Sequence, residues 1–381
     1  MATLEITSLA HGGYGVGRVD GQVWFVAYGL PGDRVNVTET RRSKGVVWGR
    51  IEAIESPSPL RTAPMCPVFG TCGACTWLHF AYPAQLEWKE RIVLDTLKRL
   101  GGVVPQEFAR VEDADLRLGY RTRAEFHGDG WRRGFYAEGS HDIVDITQCP
   151  LCHPKLNEAL ARLREASVPG TVEVTINPEG EDVLFWTAKP NRRLSKVFPE
   201  AQSFASDDER STFFFDGAPV VNGTFSQSSL LLNRTLRKQV HDALAGAGSV
   251  LDLFCGTGNF TLGLDAEVVG VDHNRASVGA AQAIGTHDYR VGSTADINRA
   301  IGEKSWDAIV LDPPRTGARD IVQRLAECGA GNIVYVSCDP ATLARDAKAL
   351  VTSGWTMQRA AIVDMFPHTA HIETVGVFAR V

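Results

Sequence analysis

The sequence lacks the long hydrophobic run, about 18 residues, that a membrane-spanning helix requires. Its first residues also lack the basic and apolar regions of a secretory signal peptide. These two absences lead us to expect a cytoplasmic protein with no membrane partner. In that compartment the eight cysteines are expected to be reduced, catalytic or metal-bound rather than joined in disulfides.

An excess of basic residues is missing as well, because the formal net charge is -6. This balance argues against a globally basic nucleic-acid-binding protein. It is compatible with a local basic face, since the field in a cleft depends on how charges are arranged rather than on their sum. Each basic cluster is by itself typical of a solvated surface, so composition leaves the partner open. The clusters lie at 41–44, 121–123, 131–133 and 191–193.

Residues 1–56 predict a small β-barrel of the oligonucleotide-binding type. They contain short strand-like runs, and their glycine-rich segment 12–17 permits a close approach of another backbone. The Pro-Ser-Pro segment at 57–59 ends this region. A purely structural barrel without a ligand is the alternative. The strand-like runs lie at 23–26, 33–37 and 45–51.

The rest of the chain divides into two regions, since a length of 381 residues with 44% hydrophobic content suits two or three domains in all. Residues 57–225 predict an α+β domain. Residues 226–381 alternate strands with helices, which predicts a mostly parallel, doubly wound α/β sheet. Helices are predicted at 83–100, 155–165, 228–245 and 276–284, and strands at 121–126, 131–135, 172–176, 182–188, 249–253, 267–272, 306–311, 332–337 and 374–381.

A glycine-rich loop follows the strand predicted at 249–253, with the sequence Asp252-Leu-Phe-Cys-Gly-Thr-Gly-Asn-Phe260. It lacks the third glycine of the dinucleotide fingerprint, which disfavours pyrophosphate binding. Asp272 ends the next predicted strand, where an acidic side chain accepts hydrogen bonds from ribose hydroxyls. Together these features predict a site for S-adenosylmethionine, which has a ribose but no phosphate. An ordinary glycine-rich strand–helix turn is the alternative.

The Asp312-Pro-Pro-Arg315 segment follows another buried strand. Its two prolines fix a rigid turn that directs the aspartate toward the crevice above the sheet. Many nucleic-acid methyltransferases that modify exocyclic amines carry an aromatic residue at the position of Arg315, so the arginine argues against amine methylation. A rigid loop with no further role is the alternative.

Cys338 and Glu373 are predicted at strand ends on the same side of this sheet. Methylating C5 of uracil requires a thiolate that adds to C6 and a base that later removes the C5 proton. A cysteine, a carboxylate and a cofactor loop in one domain fit that chemistry. The helix that starts near Pro340 is expected to lower the pKa of Cys338.

The order of these motifs resembles that of the RNA 5-methyluridine methyltransferases, in particular the branch with a TRAM barrel and an iron–sulfur cluster. The matching segments run from Gln227 through the cofactor loop and Asp-Pro-Pro-Arg to Ser-Cys-Asp-Pro-Ala-Thr-Leu-Ala-Arg-Asp and His-Ile-Glu-Thr-Val. The resemblance implies that Cys338 is the nucleophile and Glu373 the proton acceptor. It implies a TRAM barrel over 1–56, a cluster domain over 57–225 and a catalytic domain over 226–381. The implied cofactor-binding positions are Gln227, Phe254, Asn259, Asp272 and Asp312.

Several positions depart from the family pattern. Asp339 stands where asparagine is common, and Asp272 stands where glutamate is usual. The segment 291–293, Val-Gly-Ser, lacks the usual Asp or Asn, which leaves adenine recognition there without a candidate residue. The helix predicted at 276–284 is short for the family. None of these departures removes a catalytic group.

A second group of cysteines comprises Cys66, Cys72 and Cys75, followed at a distance by Cys149. Four thiolates bind either zinc or an iron–sulfur cluster, and their spacing does not decide between them. The resemblance implies a 4Fe–4S cluster bound by these four, with Cys152 as an alternative to Cys149. The remaining two, Cys255 and Cys328, are expected to pack as small apolar residues.

The substrate uridine must be flipped out or lie in a loop, because a uracil inside a stem is out of reach. The resemblance implies large-subunit ribosomal RNA as the partner of a monomer, with the T-loop of tRNA as the alternative. Trp48, Trp131 and Tyr120 are aromatic candidates for stacking on bases, although the usual place of each is the core. Two rival classes remain, an exocyclic-amine or small-molecule methyltransferase and a non-catalytic iron–sulfur RNA-binding protein.

Overall fold

The structure, a computed structural model, describes residues 2–204 and 210–380. Three parts of the predicted domains lie outside the described residues. They are Met1 at the start of the first domain, residues 205–209 in the central domain and Val381 at the end of the last domain. The described chain forms an N-terminal barrel-like sheet, a central α+β region and a large C-terminal α/β sheet. Within the described ranges, no helix is both long enough and apolar enough to cross a membrane.

The N-terminal sheet has six strands in the order β1-β5-β6-β4-β3-β2. Alternate residues of these strands, such as Leu4, Trp24, Val35 and Val47, point inward and form a separate small core. The last strand ends just before the predicted Pro-Ser-Pro segment, and the predicted barrel type is confirmed. The strands are β1 (Ala2–Glu5), β2 (Ser8–Leu9), β3 (Gly15–Val19), β4 (Gln22–Val26), β5 (Arg34–Ser43) and β6 (Val46–Ser56).

The next two elements, a helix and a strand, are part of the C-terminal region, although the sequence predicts them within the central domain. The helix packs against that region, and the strand joins its sheet. Helix α1 (Tyr82–Thr96) continues as a π-helical turn, Leu97–Gly101, and strand β7 (Glu107–Val111) follows. Strand β7 pairs in parallel with a strand that comes some 250 residues later along the chain, namely Trp355–Val363. No local pattern encodes this pairing, because it depends on the exposed edge of a sheet formed by distant residues. The domain boundary predicted at residue 57 therefore separates the barrel from the rest of the chain, but the residues that follow it do not all belong to the central region.

The central region contains a six-stranded sheet with the order β10-β9-β8-β11-β12-β13. Tyr120 lies fully buried beside it, whereas Trp131 is 94% exposed at the turn between two strands, so the expectation that Trp131 is a core residue is wrong. The elements are β8 (Arg123–Asp129), β9 (Arg133–Tyr136), β10 (Ile143–Asp145), α2 (Pro154–Glu165), β11 (Pro169–Ile176), β12 (Val183–Thr187), α3 (Arg192–Val197) and β13 (Gln202–Ser203).

A hairpin, β14 (Thr212–Phe215) and β15 (Ala218–Val221), leads into the C-terminal sheet, whose strand order is β18-β17-β16-β19-β20-β22-β21-β7. Its first five strands are parallel and β22 is antiparallel to both neighbours, as a doubly wound fold with a reversed strand requires. The predicted α/β class is confirmed. The elements are α4 (Leu230–Leu244), β16 (Ser249–Leu253), β17 (Glu267–Asp272), α5 (Arg275–Ile284), β18 (Asp288–Val291), α6 (Thr294–Ile301), β19 (Ala308–Leu311), α7 (Val322–Glu327), β20 (Asn332–Ser337), α8 (Pro340–Thr352), β21 (Trp355–Val363) and β22 (Glu373–Arg380).

Candidate active site

The predicted cofactor loop begins where β16 ends, at the carboxyl edge of the parallel strands. Phe254 adopts a left-handed backbone conformation with a φ of 61°, which is rare for a residue with a side chain. Its amide N–H donates to the carbonyl of Val271 at the end of β17, at 2.9 Å. This bond ties the loop to the neighbouring strand. A conformation this unusual in a non-glycine residue is typical of functional loops.

Asp272 lies at the end of β17, as predicted, and is 7% exposed. Its carboxylate accepts the amide N–H of Gly256 at 3.0 Å and that of Asn274 at 2.7 Å. Each carboxylate oxygen has a second lone pair, so these bonds fix the side chain without using all its acceptor capacity. The carboxylate is therefore held next to the glycine-rich loop, where the sequence predicts a ribose.

A cleft opens between this loop, the start of α4 and the β14–β15 hairpin. Four of the five predicted cofactor positions line it, namely Gln227, Phe254, Asn259 and Asp312, whereas Asp272 lies just behind Gly256. The amide groups of Asn259 and Asn233 hydrogen-bond to each other at 2.7 and 3.2 Å. The structure thus brings all five predicted positions to one place.

Strand register brings the side chains of Asp312, Cys338 and Glu373 to the edge of the sheet that adjoins the cofactor cleft. Leu253 of β16 pairs with Leu311 of β19, so the residues that follow them, Phe254 and Asp312, are neighbours. Ser337 of β20 pairs with Thr374 of β22 in antiparallel register. The next pair outward is consequently Cys338 and Glu373. Nucleophile and base candidates are thus opposite each other, beside the cofactor cleft.

Burial controls the protonation of these groups. It raises the pKa of the Glu373 carboxyl well above its usual range, and the charge of Asp312 raises it further. Burial also raises the pKa of the Cys338 thiol to about 11, an effect that Glu373 and Asp312 increase. The Arg315 guanidinium acts in the opposite direction on both groups. In the unliganded protein, burial and the nearby carboxyls therefore favour the protonated forms of Cys338 and Glu373.

The expected lowering of the Cys338 pKa by the start of α8 is wrong. The helix begins as predicted at Pro340, but Asp339 is its N-cap and accepts the amide N–H groups of Ala341 and Thr342, each at 2.9 Å. The positive end of the helix is thus neutralised by a carboxylate. The charge of Asp339 itself raises the pKa of the neighbouring thiol.

The cysteines of the second group lie in one mostly buried cluster near the central sheet. Cys72, Cys75 and Cys149 are buried, Cys66 is partly buried, and all eight cysteines of the chain are free thiols. Cys72, Cys75 and Cys149 belong to one buried cluster against which Cys66 packs. Burial raises the pKa of Cys75, and the charges of Cys149, Cys72 and Cys66 raise it further. As the side chains stand in the described ranges, no three His, Cys, Asp or Glu residues are arranged to hold a metal ion.

Two further features of this cluster bear on its charge. The Cys152 thiol hydrogen-bonds to Cys149, which lowers the pKa of Cys149 and raises that of Cys152. Arg121 faces Cys149 and Cys152, and its buried Nε has no hydrogen-bond partner in the described chain. A buried guanidinium beside several thiols, with one N–H left without a partner, indicates a site suited to negative charge. As expected, Cys255 and Cys328 instead pack as small apolar residues in the C-terminal cores.

Sequence reasoning did not identify the side-chain contacts that hold the cofactor loop, including those of Asp252 at its start. Asp252 is buried, accepts the Thr261 hydroxyl at 2.5 Å, and has its pKa raised to about 7 by burial. The same hydroxyl bonds to the phenol of Tyr289 on β18 at 3.1 Å. The partner of Asn259 was also missed. The sequence contains no signal for such contacts, since the partners are 9 to 28 residues apart.

Replacing Gly258 by alanine is expected to damage this loop. Gly258 has a φ of +80°, and a Cβ there would lie 2.6 Å from the Tyr289 oxygen and 2.9 Å from Leu262 Cγ. Gly256 has a φ of +54° and open space around its Cβ position, which makes it a matched control. Urea unfolding should show a loss of about 1–2 kcal/mol for Gly256→Ala, from backbone strain alone. Gly258→Ala should lose about 1–3 kcal/mol more, from the overlap.

The same two variants report on the cofactor when affinity for S-adenosylhomocysteine is measured by calorimetry. Gly258→Ala is expected to weaken binding more than Gly256→Ala, because the displaced Tyr289 supports the loop through Thr261. Equal effects of the two substitutions on both stability and affinity would show that the contact with Tyr289 does not matter.

Comparison with known protein families gives two matches along the chain. The model of the tRNA (Uracil-5-)-methyltransferase family matches residues 295–381, which contain Cys338 and Glu373. The TRAM domain model matches residues 2–50, which form most of the barrel-like sheet.

Whole proteins also match over almost the full length. The 23S rRNA (uracil(1939)-C(5))-methyltransferase RlmD of Alkalilimnicola ehrlichii is 34% identical over 430 aligned positions, covering 99% of this chain and 96% of the relative. The protein of the same name from Pseudomonas aeruginosa is 34% identical over 428 positions, covering 98% and 93%. Among solved structures, the Pyrococcus abyssi tRNA (uracil-54, C5)-methyltransferase in complex with S-adenosyl-L-homocysteine matches with a TM-score of 0.77 and 25% identity, covering 99% of this chain and 100% of that chain. The chain therefore belongs to the RNA uracil-C5 methyltransferase family.

Proposed function

We propose that this protein methylates C5 of a uridine in RNA, using S-adenosylmethionine as the methyl donor. The observation that carries the proposal is the register of β20 and β22, which sets Cys338 and Glu373 opposite each other beside the cofactor cleft. An amine methyltransferase needs neither a thiol nor a buried carboxyl at this place. A non-catalytic RNA-binding protein has no need for the pair either.

Bound S-adenosylmethionine would supply an electrophilic methyl group on its sulfonium. Cys338 Sγ, as thiolate, forms a bond to C6 of the uracil, and the electron pair of the C5–C6 double bond moves to make an enolate. C5 would then form a bond to the methyl carbon while the bond from that carbon to the sulfonium sulfur breaks, its electron pair staying on sulfur to leave a neutral thioether. Glu373 accepts the C5 proton, the electrons of the C5–H bond restore the double bond, and the C6–S bond breaks to release the Cys338 thiolate.

The raised pKa values of Cys338 and Glu373 in the free protein fit this order of events. A positive charge close to an acidic group favours its ionised form. Bound S-adenosylmethionine would bring such a charge into the cleft that Asp312 lines, and Arg315 already contributes one. The loaded site would therefore favour the ionised nucleophile and base more than the empty one does, which limits side reactions of a free thiolate.

Large-subunit ribosomal RNA is the substrate we favour, since the relatives that match over nearly the full chain carry that name. The surface offers groups that stack on bases, namely the exposed Trp131 and the partly exposed Trp48, over which the Arg41 guanidinium lies at 4.1 Å. The T-loop uridine of tRNA is the second candidate, because the solved relative with the same architecture acts on tRNA.

We also propose a 4Fe–4S cluster bound by Cys66, Cys72, Cys75 and Cys149. The support is their common location and the unpartnered Nε of Arg121 beside them. In a cubane cluster each cysteine binds a different iron atom, so the four sulfurs need not converge on one ion. When bound, the group would be held at the edge of the central sheet and would lock the 66–75 loop. No step of the methyl transfer depends on it.

Serine substitutions distinguish the fourth ligand from its neighbour. Anaerobically purified protein should contain about four iron and four sulfide per chain. Cys149→Ser is expected to lose most of this iron, whereas Cys152→Ser should retain it, because Cys152 acts only as a hydrogen-bond partner of Cys149. Zinc alone in fully active protein would disprove the cluster, and the reverse pattern of the two variants would exchange their roles.

We further propose that the protein is a cytoplasmic monomer. Eight free thiols, with several of them buried together, suit a reducing compartment. Sedimentation velocity at micromolar concentration tests the oligomeric state, and a dimer would contradict it.

Release of tritium from RNA labelled at uracil C5 tests the function directly. Fragments of large-subunit ribosomal RNA and transcripts of tRNA are supplied separately, with and without S-adenosylmethionine. We expect cofactor-dependent release from the ribosomal fragment and little from tRNA. The opposite preference would establish the second candidate. No release from either RNA, with the cofactor bound, would exclude C5 chemistry.

A further inference from the structure

The loop formed by residues 364–372 connects β21 to β22 and ends immediately before Glu373. It contains neither helix nor strand, so its path is not set by a regular hydrogen-bond ladder. The Oε1 atom of Glu373 is buried and has no hydrogen-bond partner in the described chain. The carboxyl group therefore depends for its position on its own backbone, which the start of β22 holds on one side and the 364–372 loop on the other. Contacts that fix this loop consequently help to fix the base.

A buried ion pair holds the beginning of this loop. Lys89 on α1 lies 2.7 Å from the Asp364 carboxylate, and both side chains are 1% exposed. The Lys89 ammonium also donates to the carbonyl of Phe366 at 3.1 Å. The Tyr82 hydroxyl, from the first turn of the same helix, donates to the other oxygen of Asp364 at 2.7 Å. Charges buried this deeply remain only where all their partners are in place.

Gln85, one turn before Lys89 on α1, holds the middle of the loop and is 0% exposed. Its carbonyl oxygen accepts the amide N–H of His368 at 2.9 Å. Its amide nitrogen lies 3.1 Å from the carbonyl of Trp77 and 2.7 Å from that of Phe80. One carboxamide thus joins α1, the 364–372 loop and the segment that follows Cys75.

The backbone conformation of His368 indicates that surrounding residues hold the 364–372 loop in place. Its φ of 62° is in the left-handed region, which is unfavourable for a residue with a side chain. Both of its backbone polar groups are bonded, the N–H to Gln85 and the carbonyl to the amide N–H of Trp77 at 3.0 Å. A conformation of this kind persists only when its surroundings determine it.

The far side of the loop is fixed by residues next to the proposed cluster. The hydroxyl of Thr76 accepts the amide N–H of Ala370 at 3.2 Å, and the phenol of Tyr120 donates to the carbonyl of Pro367 at 3.0 Å. Thr76 and Tyr120 adjoin Cys75 and Arg121 in the sequence. The loop is therefore clamped between α1 on one side and the cysteine segment on the other.

We propose that Gln85 and Tyr82 of α1 are positioning residues for Glu373, acting through the 364–372 loop. The proposal rests on the function proposed above. It assigns to this helix a role in the second half of the reaction only, when C5–H and C6–S break. Cys338 immediately follows β20, outside the loop, so its addition to C6 does not need the same contacts.

The test separates the two halves of the reaction. With RNA containing 5-fluorouridine, Gln85→Met should form the Cys338 adduct at a rate within about threefold of wild type. With ordinary RNA, its tritium release should fall by about 10²-fold, since displacing a reacting group by about 1 Å has that effect. A covalent RNA–protein complex carrying the transferred methyl group should accumulate on denaturing gels. Tyr82→Phe, a smaller change, should show the same pattern with a smaller loss of release.

Tyr335→Phe is the matched control. The Tyr335 hydroxyl also donates to a buried aspartate in the same domain, Asp346, at 2.8 Å, but among the described residues it makes no hydrogen bond to the 364–372 loop. It should leave the ratio of adduct formation to release unchanged. Equal slowing of both steps in Gln85→Met and Tyr82→Phe, or normal release in both folded variants, would overturn the proposal. If wild-type protein forms no adduct with 5-fluorouridine RNA, the proposed function itself fails, and this inference fails with it.

Discussion

Cys338→Ala is expected to abolish tritium release and methyl transfer, lowering both by at least about 10⁴-fold, because no other group can form the bond to C6. No adduct with 5-fluorouridine RNA should form. The substitution removes only a partly buried sulfur at the end of β20, so the fold should be retained. S-adenosylhomocysteine binding, measured by calorimetry, should stay close to that of wild type, since the cleft is lined by other residues.

The matched control is Cys328→Ala, which removes a thiol packed in the core of the same domain, away from the site. It should reduce thermal stability slightly and leave adduct formation intact. An adduct that persists undiminished in Cys338→Ala would contradict the assignment of the nucleophile. Loss of cofactor binding in the same variant would instead indicate that the thiol supports the cleft.

Glu373→Gln is expected to stop the reaction after methyl transfer. Glutamine has almost the same shape but does not accept the C5 proton, so product release should fall by about 10³-fold. The Cys338 adduct should still form, and with ordinary RNA it should accumulate in methylated form. Pulse labelling with methyl-tritiated cofactor, followed by denaturing electrophoresis, measures this accumulation.

Glu327→Gln serves as the control, because Glu327 is an exposed carboxylate at the end of α7 in the same domain. Both half-reactions should proceed normally in that variant. Wild-type turnover by Glu373→Gln would exclude this carboxyl as the base. Absence of any adduct would show that Glu373 takes part in the first half-reaction as well.

Comparing the variants at Glu373 and at Gln85 also distinguishes loss of the base from loss of its positioning. Glu373→Gln removes the base, whereas Gln85→Met leaves the carboxyl present but less well held. Raising the pH should therefore not restore the glutamine variant at position 373. If the positioning role is correct, the loss in Gln85→Met should appear in kcat rather than in KM for RNA, because the affected step follows binding.

The local features of the site were predictable from the sequence because each depends on residues adjacent in the chain. Strand β16 and the turn after it follow from a short apolar run that ends in glycines, and α8 follows from the proline after its cap. A parallel sheet collects the carboxyl ends of its strands at one edge. Motifs at the ends of separate strands could therefore be assigned to one site before any contact was known.

Other properties were decided only by the tertiary structure, because they depend on which distant groups a residue meets. The sequence predicted a lowered pKa for Cys338, whereas burial and the nearby carboxyls raise it. The sequence treated Trp131 and Tyr120 alike, yet one is exposed at a turn and the other is fully buried. Strand β7 joins the large sheet only because β21, which lies far along the chain, presents a free edge to it.

The support of Glu373 is the clearest case. The sequence placed this glutamate at the start of a strand, and motif order gave it a role. Nothing in the sequence indicates that helix α1, almost 300 residues earlier, holds the loop before Glu373 through Gln85 and Lys89. Chain order therefore determined which groups the site contains. Folding decided their protonation and their support, because both arise from burial and from contacts between residues that are remote in sequence.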